Sequence, residues 1–282
     1  MHEQRNLHKI GLLCFVLEVS RAGYYKWTNR MPSNRTKTKE RLLTRILSVF
    51  EQSRETYGCP RVYQSLRKNG VAVNHKTVER LMREHEITPI RKRKYKSTTD
   101  SKHNLPISPN ILSREFEVQE LDEVWVGDIT YVETKEGWLY VATTIDLFSR
   151  QVVGWSASAN MTSELVLSAF QNACSSRQRA PVLFHSDRGS QYASVLFRNE
   201  LTANSTLQSM SRKGNCWDNA VAESFFGSLK SELVYRNTFD TRKQAELMVF
   251  EYIEIFYNKQ RLHSGLNYLT PEEKAQKGKK AA

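Results

Sequence analysis

The sequence predicts a mixed α/β body preceded by an all-α, strongly basic N-terminal region, on three observations. Apolar residues recur at helical steps up to about residue 90 and switch to strand-like alternation at Val124. Three strand-like segments then follow one another directly before helices and strands begin to alternate. The positive charge is also lopsided. Residues 1–110 carry 23 Lys and Arg against 9 Asp and Glu, whereas residues 111–282 carry 19 against 21.

The chain has 282 residues and a formal net charge of +12, with 39% hydrophobic and 10% aromatic residues. That composition supplies a packed core and excludes disorder throughout. No apolar run approaches the roughly 18–20 residues of a membrane span, and residues 1–11 lack the basic-then-apolar layout of a secretory signal. A cytoplasmic protein is the expectation, with no membrane partner. Cys14, Cys59, Cys174 and Cys216 follow no zinc-site spacing and read as separate thiols in a reducing compartment.

The basic half divides into three expected regions. Residues 1–32 form a short helix-turn-helix-like segment: 9–19 are mostly apolar, and Ser20 caps a basic, aromatic helix through Trp27. Residues 33–90 form a second helix-turn-helix region. Leu42, Leu43, Ile46, Leu47 and Phe50 make one amphipathic helix, and Tyr57-Gly58-Cys59-Pro60 ends it. The next helix turns Val62, Tyr63 and Leu66 inward and stops near Gly70. Asn74 caps a third, in which Val78, Leu81 and Met82 pack while His75, Lys76, Arg80 and Arg83 stay outside. One buried face and one cationic face suit a recognition helix in a DNA major groove. Residues 91–120 form a basic linker, in which Arg91, Lys92, Arg93, Lys94 and Lys96 can neutralise phosphates regardless of sequence.

The body is expected over residues 121–240, with a C-terminal helix and tail over 241–282. Residues 124–132, 138–146 and 151–155 read as an antiparallel meander turned at Lys135-Glu136-Gly137. Helices are expected over 163–174, 192–202, 218–234 and 242–257, and further strands over 182–185 and 207–210. This is a mixed five-stranded sandwich of the ribonuclease-H type.

Three acids stand out by position. Asp128 interrupts the buried pattern of the first strand, Asp187 ends the strand before Arg188-Gly189, and Glu223 lies on the later helix. Each alone has an ordinary reading: Asp128 as a bulge, Asp187 as a turn or helix cap, and Glu223 as a surface acid. At about 100° per residue, Val221, Phe225, Leu229 and Leu233 share one helix face, and Glu223 and Lys230 fall nearly opposite, about 10 Å apart in rise. Three carboxylates in one pocket repel one another unless cations screen them. Mg²⁺ takes such hard oxygen ligands, and a pair of ions can drive in-line displacement at a phosphodiester. Lys230 could then hold a phosphate near the cut, and Arg188, Arg212 and Lys213 are further expected DNA contacts. Asp146 reads as a turn or strand-end residue and Asp218 as the cap of the Glu223 helix. His185 either orients a carboxylate or is a satisfied core histidine.

These residues also carry a resemblance. Asp128, Asp187 and Glu223, with 35 residues between the last two and Lys230 seven beyond, match the D, D-35-E signature of retroviral-integrase-like transposases. Trp125-Val126-Gly127-Asp128-Ile129-Thr130-Tyr131 and His185-Ser186-Asp187-Arg188-Gly189-Ser190-Gln191-Tyr192 resemble the second-reading-frame (OrfB) proteins of the bacterial family named for insertion sequence three. So does the run Ser209-Met210-Ser211-Arg212-Lys213-Gly214-Asn215-Cys216-Trp217-Asp218-Asn219-Ala220, and so do Tyr257-Asn258, Arg261, His263 and Thr270-Pro271. The resemblance implies an integrase catalytic core that binds two Mg²⁺ ions, for which Mn²⁺ can substitute, through Asp128, Asp187 and Glu223. It implies cleavage at insertion-sequence ends, then attack of the freed 3′-hydroxyl on target DNA without a covalent protein–DNA intermediate. The implied partners are the terminal inverted repeats, target DNA, further copies of the chain on DNA, and a first-reading-frame (OrfA) protein to which the chain is fused by frameshifting. The implied location is the bacterial cytoplasm, at the nucleoid. A metal-dependent nuclease without strand transfer and a DNA-binding regulator of transposition are the alternatives. One departure stands at Glu120-Leu121-Asp122, where members often have Pro-Asn.

Overall fold

The computed structural model describes residues 2–31, 33–89, 105–212 and 216–281. Arg91 to Lys94 and Lys213 lie outside the described residues. The chain divides into two compact units, Met1–Ser48 and Val49–Ala282, and α3 (Asn34–Gln52) runs through the division.

The first unit holds α1 (Ile10–Val16) and α2 (Arg21–Thr28) ahead of α3. Ser20 caps α2 as its sequence position suggests, its side chain accepting a hydrogen bond from the Gly23 N–H at 3.0 Å. Tyr24 is the buried residue of α2, ringed by His2, Tyr25 and Trp27.

The second unit opens with α4 (Cys59–Lys68) and α5 (His75–Glu84). Pro60 occupies the first turn of α4, where a missing N–H costs no helical hydrogen bond. The Asn74 side chain caps α5 by accepting from the Lys76 N–H at 2.9 Å. Val62, Leu66, Val78, Leu81 and Met82 are buried, and Lys76, Arg80 and Arg83 are exposed.

Five strands follow: β1 (Val124–Thr134), β2 (Gly137–Asp146), β3 (Val152–Ser158), β4 (Leu183–Ser186) and β5 (Leu207–Met210). Their spatial order is β3-β2-β1-β4-β5. The first three pair antiparallel, while β1–β4 and β4–β5 pair parallel, so the sheet is the mixed one expected. On one face, α6 (Ser163–Arg177), α7 (Ser190–Ala193) and α8 (Val195–Ala203) pack around Trp125, Phe170, Phe184 and Phe197. On the other, α9 (Ala220–Glu232), α10 (Arg242–Phe250) and a π-helical stretch over Glu251–Tyr257 pack on Val126, Val132, Val141 and Ile145. The last helix, α11 (Pro271–Ala281), closes the chain.

Several elements differ from the sequence reading, each for a local reason. The helix expected over 192–202 is two helices, because Ser194 turns to extended backbone and caps α8 through the Phe197 N–H. The helix expected over 218–234 is α9 flanked by 3₁₀ turns at Cys216–Asn219 and Val234–Arg236. Asp218 does not cap it; Asn219 holds the N-cap position, and Asp218 is buried among arginines. The helix expected over 242–257 widens into the π-helical stretch after Phe250, and α11 stands where only a tail was expected.

The departing Asp122 is built into the entry of β1. Its carboxylate accepts from the Trp125 indole N–H at 3.1 Å and pairs with Arg177 at 3.3 Å. Its own N–H donates to Asp146, which also accepts from the Ser149 N–H at 2.7 Å and so serves as the expected turn residue.

Candidate active site

The site begins where β1 and β4 part. Their parallel pairing covers only Val124 to Val126, and its last rung joins Val126 to His185. Asp128 lies two residues beyond that rung within β1, and Asp187 two residues beyond it, just past the end of β4. Side chains alternate along strands, and parallel neighbours on one rung share a face. Asp128 therefore points to the face of Val126 and Val132, which α9 covers.

Gly127 permits the close packing behind Asp128. A Cβ there would stand 2.5 Å from the Phe184 ring and 3.2 Å from that of Tyr192. The Asn219 side chain donates to the Gly127 carbonyl at 3.2 Å, pinning the start of α9, and hence Glu223 in its first turn, beside Asp128.

The charges interact. Burial first, and then the charges of Asp187 and Glu223, hold the Asp128 carboxyl well above its ordinary pKa, while the Ile129 N–H and Lys230 work in the opposite direction. Partial desolvation raises Glu223, and Asp187 accepts from the Gly189 N–H at 2.9 Å. Lys230 is only 4% exposed. Burial lowers its ammonium to about 8 against the pull of Asp128, and the group sits 4.5 Å from the centre of the Tyr131 ring. Instead of standing out along a groove, as helix geometry alone suggested, Lys230 is buried against Tyr131, beside the stretch of β1 that β4 leaves unpaired.

Around this centre the loops are braced. Asp218 is fully buried and accepts from the Arg212 backbone N–H at 2.9 Å, the Arg212 guanidinium at 2.8 and 3.0 Å, Arg114 at 2.8 Å and Asn110 at 3.0 Å. The Arg212 bonds foremost hold its carboxyl well below the usual range. His185 is a core histidine, hydrogen-bonded to Ser209 at 2.8 Å and Ser211 at 3.2 Å, and burial lowers it to about 4. Arg188 donates to the Ser211 carbonyl at 2.6 Å.

The family models agree with this layout. Residues 119–216 and 223–277 match two models described as integrase core domain, and 37–95 match one described as HTH-like domain. The transposase InsF for insertion sequence IS3A of Escherichia coli (strain K12) is 40% identical over 267 residues, covering 94% of this chain and 93% of that protein. The chain belongs to the IS3 family of insertion-sequence transposases. A further relative, the insertion element IS600 uncharacterized 31 kDa protein of Shigella sonnei, is 43% identical over 92% of this chain and 96% of its own length. Among solved structures, the catalytic core domain of HTLV-2 integrase in complex with magnesium matches with a TM-score of 0.45 at 19% identity, over 56% of this chain and 98% of that one.

As a transposase with an integrase core, the protein is an enzyme of the polynucleotidyl transferase type, and its family implies dependence on a divalent metal. The donor chemistry here fits a hard cation: three carboxylates, one of them raised by burial and by the charges of the other two, are what a divalent ion relieves. Among the described residues, however, no three Asp, Glu, His or Cys side chains already stand as a ready-made ligand cluster. The acids share one electrostatic site without converging on one point. Of the expected DNA contacts, Lys76, Arg80 and Arg83 line the exposed side of α5, where Arg80 pairs with Glu84 at 3.7 Å. Among the described residues Lys230 is coupled to Asp128, and Arg212 and Arg188 are engaged in holding loops. Asn219 and Arg114 were missed by sequence reasoning. Asn219 sits within a family word that could have flagged it, whereas Arg114 has no local signal.

Proposed function

We propose that this transposase cuts DNA at the ends of its insertion sequence and joins the freed 3′-hydroxyl to target DNA, with Asp128, Asp187 and Glu223 as the catalytic carboxylates. The observation that carries the reading is the pair of aspartates two residues beyond one parallel rung, electrostatically coupled to Glu223. These three side chains would hold two Mg²⁺ ions, or Mn²⁺ in their place, and the chemistry such a pair supplies is activation of an attacking oxygen and charge relief at the leaving one. Small side-chain rotations would bring the acids together as their repulsion is screened. Lys230 holds a DNA phosphate beside them. Arg188, Arg212 and Lys213 flank the strand, and Lys76, Arg80 and Arg83 face a major groove.

Residues 1–32 and 33–90 serve as end-recognition regions, and 91–120, with Arg91 to Lys94, as a phosphate-tracking tether. The core occupies 121–240 and the C-terminal helix and tail 241–282. The enzyme works as a homo-oligomer on DNA in the bacterial cytoplasm, at the nucleoid, and as the catalytic part of a frameshifted fusion with an OrfA protein.

The test is strand transfer with labelled element ends. Asp128→Asn, Asp187→Asn and Glu223→Gln should each abolish cleavage and joining while DNA affinity stays within a few-fold, and each should weaken Mn²⁺ binding followed by electron paramagnetic resonance. Full joining by any one of the three would remove that residue from the catalytic set. Cleavage without joining in the wild-type protein would favour the nuclease reading.

A further inference from the structure

A groove of about 410 Å³ opens beside Lys230, on the side of β1 that carries Tyr131. Its volume lies within the range of sites that take small ligands or ligand fragments. Tyr131 and Trp138 form one wall, their rings edge-on at 5.0 Å between centroids. Tyr235, from the 3₁₀ turn after α9, and Phe239 also line the groove. Trp138 is 45% and Tyr235 49% exposed, so each offers ring surface to an incoming group. Lys135 also lines it, its ammonium paired with Asp240 at 2.6 Å. The wall is also firm. The Arg242 guanidinium donates to the Trp138 carbonyl at 3.0 Å, and the Lys135 N–H to the Phe239 carbonyl at 3.0 Å.

We propose that this groove receives one unstacked nucleobase of the DNA strand whose backbone lies at the carboxylates. The inference rests on the functional reading above and names where the strand goes next. Lys230 belongs both to the acidic site and to the groove, so a phosphate held there places the neighbouring base between Trp138 and Tyr235. An aromatic platform next to a cation is how single strands are bound without sequence readout, at about 1–3 kcal/mol per stacked base. A base within a duplex is already stacked and cannot enter. A second protein chain fits less well, because charged Glu133, Lys135 and Lys230 interrupt the apolar walls.

The experiment measures binding of the full-length protein, without divalent metal, to single-stranded oligothymidylate and to an abasic strand of equal length and charge. Phosphate contacts are common to both strands, so their ratio isolates the base. Wild type should prefer the base-bearing strand by roughly ten-fold. Trp138→Ala and Tyr235→Ala should each lose most of that preference with affinity for the abasic strand unchanged, and Trp138→Phe should keep most of it. Circular dichroism establishes that the variants fold, and Tyr235→Ala carries the test should Trp138→Ala fail to do so. No preference in wild type overturns the proposal, as does a preference that survives both alanine variants. Concentration-dependent self-association abolished by Trp138→Ala, with no base preference, overturns it in favour of a second copy in the groove. Asp128→Asn should retain the preference, so the outcome is independent of whether the acids prove catalytic. A branched joining intermediate carrying 2-aminopurine on the element side or the target side of the junction identifies the strand, since fluorescence should fall on one side in wild type and not in Trp138→Ala. Quenching on neither side counts against the groove.

Discussion

Asp218 shows how much a single side chain can organise. It is a fully buried carboxylate collecting N–H donors from Arg212, Arg114 and Asn110, and it ties the segment before β1 to the loop before α9. Because its folded pKa is depressed, chiefly by Arg212, the stability it contributes is present above the ordinary carboxylate range and is lost as pH falls through the lower folded value. Asp218→Asn should therefore cost about 1.5–3 kcal/mol at neutral pH, the scale of hydrogen bonds to a charged group. It should also flatten the acid limb of the stability curve, which urea unfolding between neutral and acidic pH would measure. An unchanged acid limb would show that other carboxylates govern it. The sequence marked Asp218 as a cap; Arg212 lies only six residues before it, but Arg114 and Asn110 lie 104 and 108 residues away and no local pattern announces them.

Among the elements, the junction of β1, β4 and α9 decides the site. Gly127 lies where the rings of Phe184 and Tyr192 close on β1, and a methyl group there meets Phe184 at 2.5 Å. Gly127→Ala should force β1 and β4 apart at the point where Asp128 and Asp187 emerge. Overpacking of this kind costs about 1–3 kcal/mol. The signature of this role is a loss of joining larger than the loss of folded protein, read by comparing single-turnover strand transfer with a thermal melt. A variant with wild-type joining would mean that the glycine serves packing alone. Strand existence, order of appearance and the meander were legible because alternation and turn residues are local signals. The break at Ser194 and the π-helical stretch after Phe250 were not, since the apolar spacing runs across both and only packing separates them.

At the scale of the whole second unit, one buried ion pair joins the C-terminal end of α9 to the segment beyond the π-helical stretch. Arg261 and Glu232 meet at 2.7 Å, Tyr252 donates to the same carboxylate at 2.8 Å, and the Tyr57 hydroxyl accepts from the Leu262 N–H at 2.6 Å. Burial raises the Glu232 carboxyl, but the Arg261 bond and charge outweigh it and the net shift is downward. Arg261→Met should thus cost about 3–5 kcal/mol by leaving a lone buried charge, while pairing it with Glu232→Gln should recover much of that loss. A double-mutant cycle in urea measures the coupling, and simple additivity of the two losses would refute it.

From the sequence alone came the fold class, the helical basic region, the three acids and the family, because periodicity, charge and short motifs are written in neighbouring residues. Only the tertiary structure decided that Asp128 and Asp187 leave one rung together, that Lys230 lies against Tyr131, and that the acids are coupled without forming a finished ligand cluster. Those facts depend on where two strands stop pairing and on what a helix is pinned to, and contacts between distant residues set both.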